Sequence, residues 1–343
     1  MTANVYFRRI DSSSSSEETS KAGADLLRTI IEKENVILQS PTPLKVHFGE
    51  KGNTTFIRPD NFEGIIGILK EKNIDTSFIE TNVLYRGART KKDDHIALAK
   101  AHGFTSLPII IADGDHGENQ QLVTIDKKHF RSCKIGNEFS HYKSIIVLSH
   151  FKGHILAGFG GALKQLAMGC ASRGGKLDQH VGAQPFINPF TCKKCKTCVR
   201  HCPVNAICID LFPRISKRKC IGCASCIAIC PYNSIKINWL KSLSPAFAEK
   251  IAEYAFAAQK DKTIVYISFA QNITDNCDCE AKNCKIVSPD IGVLASTDPV
   301  AIDQACLDLV DKAVGKKLFR GRKALAYAEK IGLGNRKYFL VEI

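Results

Sequence analysis

The sequence lacks long hydrophobic runs, and its acidic residues are few for its size. The longest apolar segments, such as Ser144 to Ser149, are far shorter than the roughly 20 residues of a membrane-spanning helix. We therefore expect no membrane span. The first residues contain no apolar signal segment, and the pair Arg8 and Arg9 is followed by serines, which predicts a cytoplasmic protein. No P-loop or GxGxxG pattern is present, so no nucleotide or flavin fingerprint identifies a cofactor.

What the sequence has instead is cysteine and positive charge. The 343 residues include 15 cysteines, and 48 lysines and arginines face 34 acidic residues, which gives a net charge of +14. In a reducing cytosol, cysteines at short regular spacings indicate metal binding or redox chemistry rather than a disulfide framework. The spacing of the cysteines decides between these uses.

Eight of the cysteines form an internal repeat. One run begins at Cys192 and a second begins at Cys220, 28 residues later, and each reads C-x2-C-x2-C-x3-C-P. In this pattern three thiolates hold one [4Fe-4S] cluster, and the fourth reaches across to a second cluster. The spacing therefore predicts two [4Fe-4S] clusters. The first is held by Cys192, Cys195, Cys198 and Cys230, and the second by Cys220, Cys223, Cys226 and Cys202.

Zinc is the alternative, because paired CxxC units also build four-cysteine zinc sites. A zinc site gains nothing from a third cysteine in each run, from the prolines Pro203 and Pro231, or from a tandem copy of the arrangement. Residues 186–238 resemble the bacterial dicluster ferredoxins along their whole length. The resemblance implies low-potential, one-electron transfer between neighbouring clusters.

Residues 186–238 are basic, unlike a typical acidic ferredoxin. Nine lysines and arginines face one acidic residue, Asp210, which gives a protein charge of +8. Two oxidised clusters with their thiolates contribute about −2 each, so about +4 remains. This charge predicts an acidic redox partner such as a flavodoxin or an acidic ferredoxin, with a generally basic surface as the alternative. We expect no nucleic-acid binding, because no aromatic platform or helix-turn-helix pattern accompanies the charge.

The sequence before Pro185 and after Trp239 alternates between strand and helix patterns, which predicts an α/β domain with a mostly parallel sheet. We therefore expect a discontinuous α/β domain, residues 1–185 and 239–343, with an inserted α+β dicluster ferredoxin-like domain at residues 186–238. The predicted strands are Leu44 to Phe48, Ser77 to Ile79, Pro108 to Ala112, Ser144 to Leu148 and Thr263 to Phe269.

The first predicted helix has a capping-box start at Ser15 and Glu18. Its apolar residues share one face, as expected for a helix that packs on a sheet. The serine run before it is predicted to be a flexible lead-in.

Polar residues follow each predicted strand. In open α/β sheets, ligands bind outside the carboxyl ends of the strands, so these loops are predicted to converge on one crevice. The alternative is that loops are polar in any case and that carboxylates cap helices. The candidate catalytic residues, which would transfer protons, are His150, Lys152, His154, Asp113 and Asp115.

Two further patterns could bind ligands. Cys277, Cys279 and Cys284 form a CxC-x4-C array after a strand, which indicates a further metal site or a redox thiol pair, with ordinary reduced cysteines as the alternative. A glycine-rich stretch from Gly158 to Gly161 precedes a helix that contains Lys164. Its backbone N–H groups could bind an anionic substrate group, or its glycines could allow close helix packing. We expect the remaining cysteines to be small and buried, namely Cys133, Cys170, Cys208 and Cys306.

Several long strings resemble a known family, the domain-of-unknown-function family 362. They include VHFGEKGN, DTSFIETNVLYRGARTKKDDH, PIIIADGDHG, IIVLSHFKGHILAGFGGALKQLAMGCASRGGK and ISFAQNITDNCDCE. The likeness spans nearly the whole chain. Members of this family often carry an inserted dicluster ferredoxin, so the resemblance implies cluster binding and a redox role.

These observations favour a ferredoxin-coupled oxidoreductase, in which two clusters pass electrons to a substrate or second centre in the α/β crevice. One alternative is an electron carrier without catalytic activity. Another is a maturation or scaffold protein that transfers a cluster or metal.

Overall fold

Short runs of β-branched and aromatic residues form the strands of the protein, and the longer amphipathic segments between them form helices. The structure, a computed structural model, describes residues 2–11, 14–240 and 244–343. The helices are α1 (Ser16–Lys33), α2 (Glu63–Glu71), α3 (Lys92–Ala101), α4 (Ala162–Cys170), α5 (Arg173–His180), α6 (Thr197–Arg200), α7 (Ser225–Ile229), α8 (Phe247–Gln259), α9 (Pro299–Val314) and α10 (Arg322–Lys330). Short 3-10 helices lie at Pro59–Phe62 and Asn137–His141.

The strands include one long central sheet and several two-stranded ribbons. They are β1 (Ala3–Arg9), β2 (Leu44–Lys45), β3 (Phe78–Glu80), β4 (Ile109–Ile111), β5 (Gln120–Thr124), β6 (Ser132–Gly136), β7 (Ser144–His150), β8 (Lys152–His154), β9 (Gly158–Gly160), β10 (Phe186–Ile187), β11 (Ile207–Cys208), β12 (Arg214–Ile215), β13 (Ile235–Lys236), β14 (Thr263–Ala270), β15 (Gly292–Ser296) and β16 (Tyr338–Glu342).

The central sheet has the strand order β16, β1, β15, β14, β7, β2, β3, β4. Five neighbours, from β14 to β4, are parallel, and they are the five strands predicted from the sequence. Every residue of β7 is buried, as expected for a strand covered on both faces. The chain is therefore a mixed α/β protein with a large, mostly parallel sheet.

The other edge of the sheet was not predicted. Strand β15 is antiparallel to both β14 and β1, and β1 is parallel to β16. The patterns of these strands are weak, because β1 ends in two arginines and most of β16 is exposed. Pairing with β15, rather than local hydrophobicity, places β1 in the sheet.

Helices cover both faces of the sheet. On one face α1 packs against α2, and Leu26, Leu27 and Ile30 of α1 are fully buried there. On the other face α4, α8, α9 and α10 pack together and form a second apolar layer with the sheet. Two apolar layers therefore fix the sheet, and the carboxyl ends of its parallel strands are left for a binding site.

The start of α1 confirms the predicted capping box. The backbone N–H of Glu18 donates to Ser15 Oγ at 3.2 Å, and the N–H of Ser15 donates to Glu18 Oε2 at 2.7 Å. Of the serine run before this helix, Ser12 and Ser13 lie outside the described residues.

Residues 186–238, here named the duplicated segment, repeat their backbone conformation every 28 residues. In its first half (186–210) lie β10, α6 and β11, and in its second half (214–238) lie β12, α7 and β13. Each two-stranded ribbon takes one strand from each half. Strand β10 of the first half pairs with β13 of the second, and β11 of the first half pairs with β12 of the second.

Unusual backbone angles recur in the duplicated segment as well. Lys196 and its counterpart Ala224 both have left-handed backbone conformations, with φ of 59° and 60°. The sequence repeat is therefore also a structural repeat.

None of the helices formed by the described residues combines the length and apolar character that crossing a bilayer requires.

Candidate functional site

The eight cysteines of the duplicated segment line two small cavities of about 20 Å³ each. Each cavity takes three cysteines from one half of the segment and one from the other. The first cavity has Cys192, Cys195, Cys198 and Cys230 in its wall, and the second has Cys220, Cys223, Cys226 and Cys202. These two groups coincide with the two predicted ligand sets, while the identity of the bound group stays a prediction. A cysteine-rich segment of this kind fits metal binding.

The fourth cysteine of each run is oriented by a backbone donor. The N–H of Ala206 donates to Cys202 Sγ at 3.2 Å, and the N–H of Ser234 donates to Cys230 Sγ at 3.3 Å. The two bonds are equivalent under the 28-residue repeat. Such N–H to sulfur bonds stabilise a thiolate that carries negative charge.

The second half of the duplicated segment packs directly on the sheet domain. Ala224 belongs to a buried apolar cluster with Leu84, Leu177 and Val181. A Cβ placed on Gly174 of α5 would lie 3.1 Å from Cα of Cys223, so the helix and the cysteine loop touch through their backbones. The Nζ of Lys134 also donates to the carbonyl oxygen of Ile221 at 3.0 Å.

Arg173, the first residue of α5, is fully buried beside this half. Its backbone N–H donates to Asp113 Oδ2 at 3.1 Å, and its Nη2 donates to the carbonyl of Thr90. Its Nε and Nη1 have no partner among the described residues. Burial lowers the pKa of Arg173 to about 10, although the negative charges around it, including those of Cys226 and Cys223, act in the opposite direction. Two donors of this buried guanidinium group are thus left without a protein acceptor among the described residues.

A larger cavity of about 410 Å³ opens at the carboxyl ends of the parallel strands. Both polar and apolar side chains line it, as in small-molecule sites. Its polar wall includes His47, Glu80, Thr81, Tyr85, Arg89, His154, Lys164, Gln165, Lys176, His180, Asn276, Cys279 and Glu280. Its apolar wall includes Val83, Leu84, Leu156, Met168 and Trp239.

The structure brings the predicted loops to this edge of the sheet. The N–H of Glu50 donates to the carbonyl oxygen of Asp278 at 2.9 Å, which joins the loops after β2 and β14. The N–H of Asn82 donates to Asp113 Oδ1 at 2.8 Å, which joins the loops after β3 and β4. Of the five candidate catalytic residues, however, only His154 lines the cavity.

His150 and Lys152 form a buried ion cluster with Asp278. The ring of His150 contacts Asp278 Oδ2 through Nδ1 at 3.0 Å and the carbonyl oxygen of Gln271 through Nε2 at 2.8 Å. Both partners are acceptors, so the ring of His150 is held in place at both of its nitrogens. Burial acts to raise the pKa of Asp278, but the charges of His150 and Lys152 outweigh it and hold the pKa well below its usual range. This cluster anchors the loop of Cys277 and Cys279.

Asp113 and Asp115 lie away from the cavity. Asp113 is buried, and its carboxylate accepts from the Asn82 side chain at 3.0 Å and from the backbone of Arg173 at 3.1 Å. Burial raises its pKa to about 6. Asp115 is exposed and forms a 3.8 Å ion pair with Lys92. Asp113 thus holds the loops after β3 and β4 against the start of α5.

His154 faces the cavity as a neutral ring. Its Nδ1 accepts from the backbone N–H groups of Leu156 at 3.2 Å and Ala157 at 3.0 Å. Burial holds the pKa of His154 well below its usual range, and Lys164 adds to this effect. The proton of the neutral ring therefore lies on Nε2.

The predicted array of three cysteines separates into a pair and a single residue. Cys277 and Cys279 lie beside His154, with the ligand atoms of all three within 4.8 Å of one another. Cys284 points elsewhere, because its thiol donates to the carbonyl oxygen of Cys277 at 3.8 Å. A hydrogen bond from the Cys279 thiol and the charge of Lys164 lower the pKa of Cys277 against the effect of burial. The same hydrogen bond raises the pKa of Cys279.

Three cations in the cavity wall differ in their partners. Arg89 pairs with Glu50 at 3.2 Å, and Lys164 Nζ lies 3.8 Å from Cys277 Sγ. Lys176 donates instead to uncharged groups, which are Thr81 Oγ1 and the carbonyl oxygens of Asn82 and Ala171. Burial lowers the pKa of Lys176 to about 8. Lys176 thus has no direct carboxylate partner, although the charges of Asp113 and Glu80 act to raise its pKa against the effect of burial.

Sequence reasoning missed most of these wall residues. Lys176 and His180 lie on α5, and Arg89 lies in a loop before α3, far from any strand end. His180 stacks on Phe247, with ring centroids 5.1 Å apart, and its edge meets Trp239 at 5.5 Å. The signal for Lys176 in the sequence is the run ASRGGK, which belongs to one of the strings shared with the family.

The prediction of an anion site at the start of α4 is wrong. The N–H groups of Ala162 and Leu163 donate to the carboxylate of Asp303 at 2.7 and 2.9 Å, so this helix end already has its anion. The glycines permit that approach, because a Cβ on Gly161 would lie 2.3 Å from Asp303 Oδ1. Burial raises the pKa of Asp303 to about 7.

The four remaining cysteines follow the prediction with one exception. Cys133, Cys170 and Cys306 are buried, as expected, whereas Cys208 is exposed in β11 and its thiol donates to Asp210 at 3.1 Å.

Comparison with known proteins gives a family and two distant structural likenesses. A family model described as a domain of unknown function (DUF362) matches residues 43–308. No curated protein sequence matches the chain.

A crystal structure of a Thermotoga maritima protein aligns with 90% of this chain at 9% identity and a TM-score of 0.47. The apoprotein of lactate racemase from Thermoanaerobacterium thermosaccharolyticum aligns with 78% of the chain at 13% identity and a TM-score of 0.37. The chain covers 60% and 50% of those two proteins.

Proposed function

We propose that this chain, which belongs to the DUF362 family of domains of unknown function, is an iron–sulfur oxidoreductase. Two [4Fe-4S] clusters in a ferredoxin-like inserted domain, residues 186–238, pass electrons to a small anionic substrate in the 410 Å³ cavity. The α/β domain of residues 1–185 and 239–343 binds that substrate.

The observation that carries this proposal is the crossed arrangement of the eight cysteines. Each cavity of the duplicated segment has three thiols from one half and one from the other, which is the ligand pattern of a dicluster ferredoxin. Cys198 and Cys230 come from different halves yet share the first cavity. When bound, the clusters supply one-electron transfer at low potential.

Helix α5 connects the duplicated segment to the substrate cavity. Gly174, on one side of this helix, touches the loop of Cys223, and Lys176 and His180 on the same helix line the cavity. The same helix thus contacts the second cysteine loop and contributes to the wall of the cavity.

The cavity has the chemistry expected for a small anion. Arg89, Lys164 and Lys176 supply positive charge, and the apolar wall around Met168 and Trp239 excludes water from part of the space. His154 and Lys164 can each donate a proton at the wall, His154 through Nε2 and Lys164 through its ammonium group. Burial acts to lower the pKa of Lys164, but the neighbouring charges of Cys277 and Cys279 outweigh it and raise the pKa.

Electrons enter from an acidic one-electron carrier such as a flavodoxin or a ferredoxin. The support is the charge of the duplicated segment, in which nine basic residues face one acidic residue. A partner could reach the first cavity at Cys195, whose thiol is exposed, whereas the four cysteines of the second cavity are only partly exposed.

Anaerobic purification with metal analysis and electron paramagnetic resonance tests the proposal. We expect about eight iron atoms per chain and reduced [4Fe-4S] signals with dithionite, because each cavity would hold four irons. Cys198→Ser and Cys226→Ser should each remove about four irons, whereas Cys208→Ser, the exposed cysteine outside both cavities, should remove none. Stoichiometric zinc in place of iron would contradict the proposal.

A second measurement separates an oxidoreductase from a carrier. Lys176→Gln and His154→Gln should abolish substrate turnover while leaving both clusters reducible by the same partner. Unchanged turnover with these variants would indicate a carrier, and transfer of iron to an added apo-protein would indicate a scaffold.

A further inference from the structure

The pair Cys277 and Cys279 lies in a tight turn that brings its two sulfur atoms together. The N–H of Glu280 donates to the carbonyl oxygen of Cys277 at 3.0 Å, which closes a turn over residues 277–280. The N–H of Cys279 donates to Cys277 Sγ at 3.4 Å. Residues at the first and third positions of such a turn have the short Cα separation that a disulfide requires.

The surroundings of Cys277 favour a reactive sulfur. Lys164 Nζ lies 3.8 Å from Cys277 Sγ. The ion pair between Lys152 and Asp278, a residue of the turn itself, holds the turn in place. Positive groups beside a sulfur stabilise its thiolate, which is the form that reacts in thiol–disulfide chemistry.

The same geometry argues against a metal ion at this place. His154 Nδ1 already accepts two backbone N–H groups, and the proton of the neutral ring occupies Nε2, so neither nitrogen has a lone pair for a metal. Cys284 faces carbonyl oxygens instead of the other two sulfurs. An ion would find only two protein ligands, fewer than zinc sites use.

The pair is also where electrons would arrive. Cys279 lines the 410 Å³ cavity together with Lys176 and His180 of α5, the helix that touches the second cysteine loop through Gly174. This location links the pair to the duplicated segment, and the inference below rests on the function proposed for that segment.

We propose that Cys277 and Cys279 form a two-electron redox centre that alternates between a dithiol and a disulfide. In the reductive direction one S–S bond breaks. Two electrons, one from each reduced cluster, and one proton convert it to the Cys277 thiolate and the Cys279 thiol. The electrons come from the external one-electron carrier, in single steps. The centre thus combines two one-electron deliveries into one two-electron reduction for a substrate in the cavity.

Peptide mass spectrometry of the anaerobic, full-length protein tests the first half of this proposal. Oxidation with diamide should join Cys277 to Cys279 with the loss of two hydrogens, and dithionite should restore two thiols that can be alkylated. Cys284→Ser is the matched control, because its thiol lies in the same loop but faces carbonyl oxygens, and it should leave the disulfide unchanged. Oxidised protein in which both thiols stay free would overturn the proposal.

A reductive titration tests the link to the clusters. Diamide-oxidised protein should take up about two more electrons per chain than Cys279→Ser, because a disulfide is a two-electron couple. Cys277→Ala provides a second variant should Cys279→Ser fold poorly, and it should lose the same two electrons. Equal uptake by the native protein and both variants, or a metal ion bound through Cys277 and Cys279, would contradict the inference.

The two proposals fail in different ways. If the purified chain contains no iron, the proposed function fails, and with it the delivery of electrons to the cysteine pair. Diamide oxidation of that chain still shows whether Cys277 and Cys279 form a disulfide. A chain with both clusters and no disulfide keeps the proposed function and loses only this centre.

Discussion

The two halves of the duplicated segment share one backbone and differ in what surrounds them. Both have the same order of ribbon strand and helix, and left-handed Lys196 matches left-handed Ala224. Lys196 is exposed to solvent, however, whereas Ala224 is 2% exposed and packs against Leu84 of the sheet domain. At these matched positions the same fold therefore exposes the first half to solvent and packs the second against the sheet domain.

The substitutions between the halves follow this difference in surroundings. The first half has four basic residues where the second has uncharged ones. The matched pairs are Lys193 and Ile221, Lys194 and Gly222, Lys196 and Ala224, and Arg200 and Ala228. The second half in turn has five basic residues where the first has uncharged ones, namely Arg214, Lys217, Arg218, Lys219 and Lys236. The two halves therefore differ in where their positive charge lies, and only around Ala224 has the second half lost it to an apolar contact.

Exchanging residues between the halves should give the largest effect. Ala224→Lys imports the residue of the first half into the apolar contact with Leu84, Leu177 and Val181, where the ammonium group has no partner. We expect a loss of about 3 kcal/mol in the free energy of unfolding, because a buried unpaired charge is costly. The reciprocal change, Lys196→Ala, lies on the surface and should stay within about 0.5 kcal/mol. Thermal unfolding under anaerobic conditions measures both.

Charge reversal beside the first cavity, where Cys195 is exposed, should slow reduction by an acidic partner. Replacing Lys193 and Lys196 with glutamate should slow reduction by an acidic flavodoxin about tenfold at low salt, because steering depends on the local field. The same double change at Lys316 and Lys317, distant in sequence from the duplicated segment, is the control. Stopped-flow rates that are equal at low and high salt would show that charge does not steer the partner.

Anion binding in the 410 Å³ cavity should depend on pH through Lys176. Burial lowers the pKa of this residue to about 8, so its ammonium charge is present at pH 7 and is lost as the pH rises through 8. Sulfate keeps a constant charge over this range, and its affinity for the cavity should fall about tenfold between pH 7 and pH 9 if Lys176 binds it. Calorimetry on Lys176→Gln should show weak binding that is flat with pH.

The smallest expected effect is a difference in reduction potential. Arg173 is buried beside the second half with two unpartnered donors, and its positive charge favours the more negative, reduced form of a cluster there. Arg173→Gln should lower the potential of the second cluster by about 30 mV, about threefold in a one-electron equilibrium. Arg200→Gln, beside exposed Cys195, should change the first potential less, since solvent screens its charge. If potentiometric titration gives the same two reduction potentials for Arg173→Gln as for the unaltered protein, Arg173 does not tune the second cluster.

Sequence patterns predicted the parts of the molecule that depend on local spacing. The five parallel strands were recognisable as short buried runs, and the crossed cysteine groups followed from two runs such as the one that begins at Cys192. Strand β15 was missed because its small residues have no strand pattern and only its pairing with β14 and β1 defines it.

The cavity was predicted only in outline, because its wall depends on distant partners. The loops were expected at one edge of the sheet, and they lie there. Yet His150 and Lys152 are neutralised by Asp278, more than 120 residues later in the chain, and so lie beneath the cavity rather than in it. The start of α4 was misjudged for the same reason, since Asp303 comes from α9. Charge pairing over such distances leaves no local pattern in the sequence.

The ribbon of β10 and β13 has a further consequence for how such a chain arose. Phe186, where the chain enters the duplicated segment, pairs with Lys236, where it leaves, so the two ends are only about 5 Å apart. A few linking residues would close the gap left by removing the whole segment, at little cost in loop entropy. A recombination event could therefore insert the duplicated segment into such a chain, or remove it, without rebuilding the sheet beneath it.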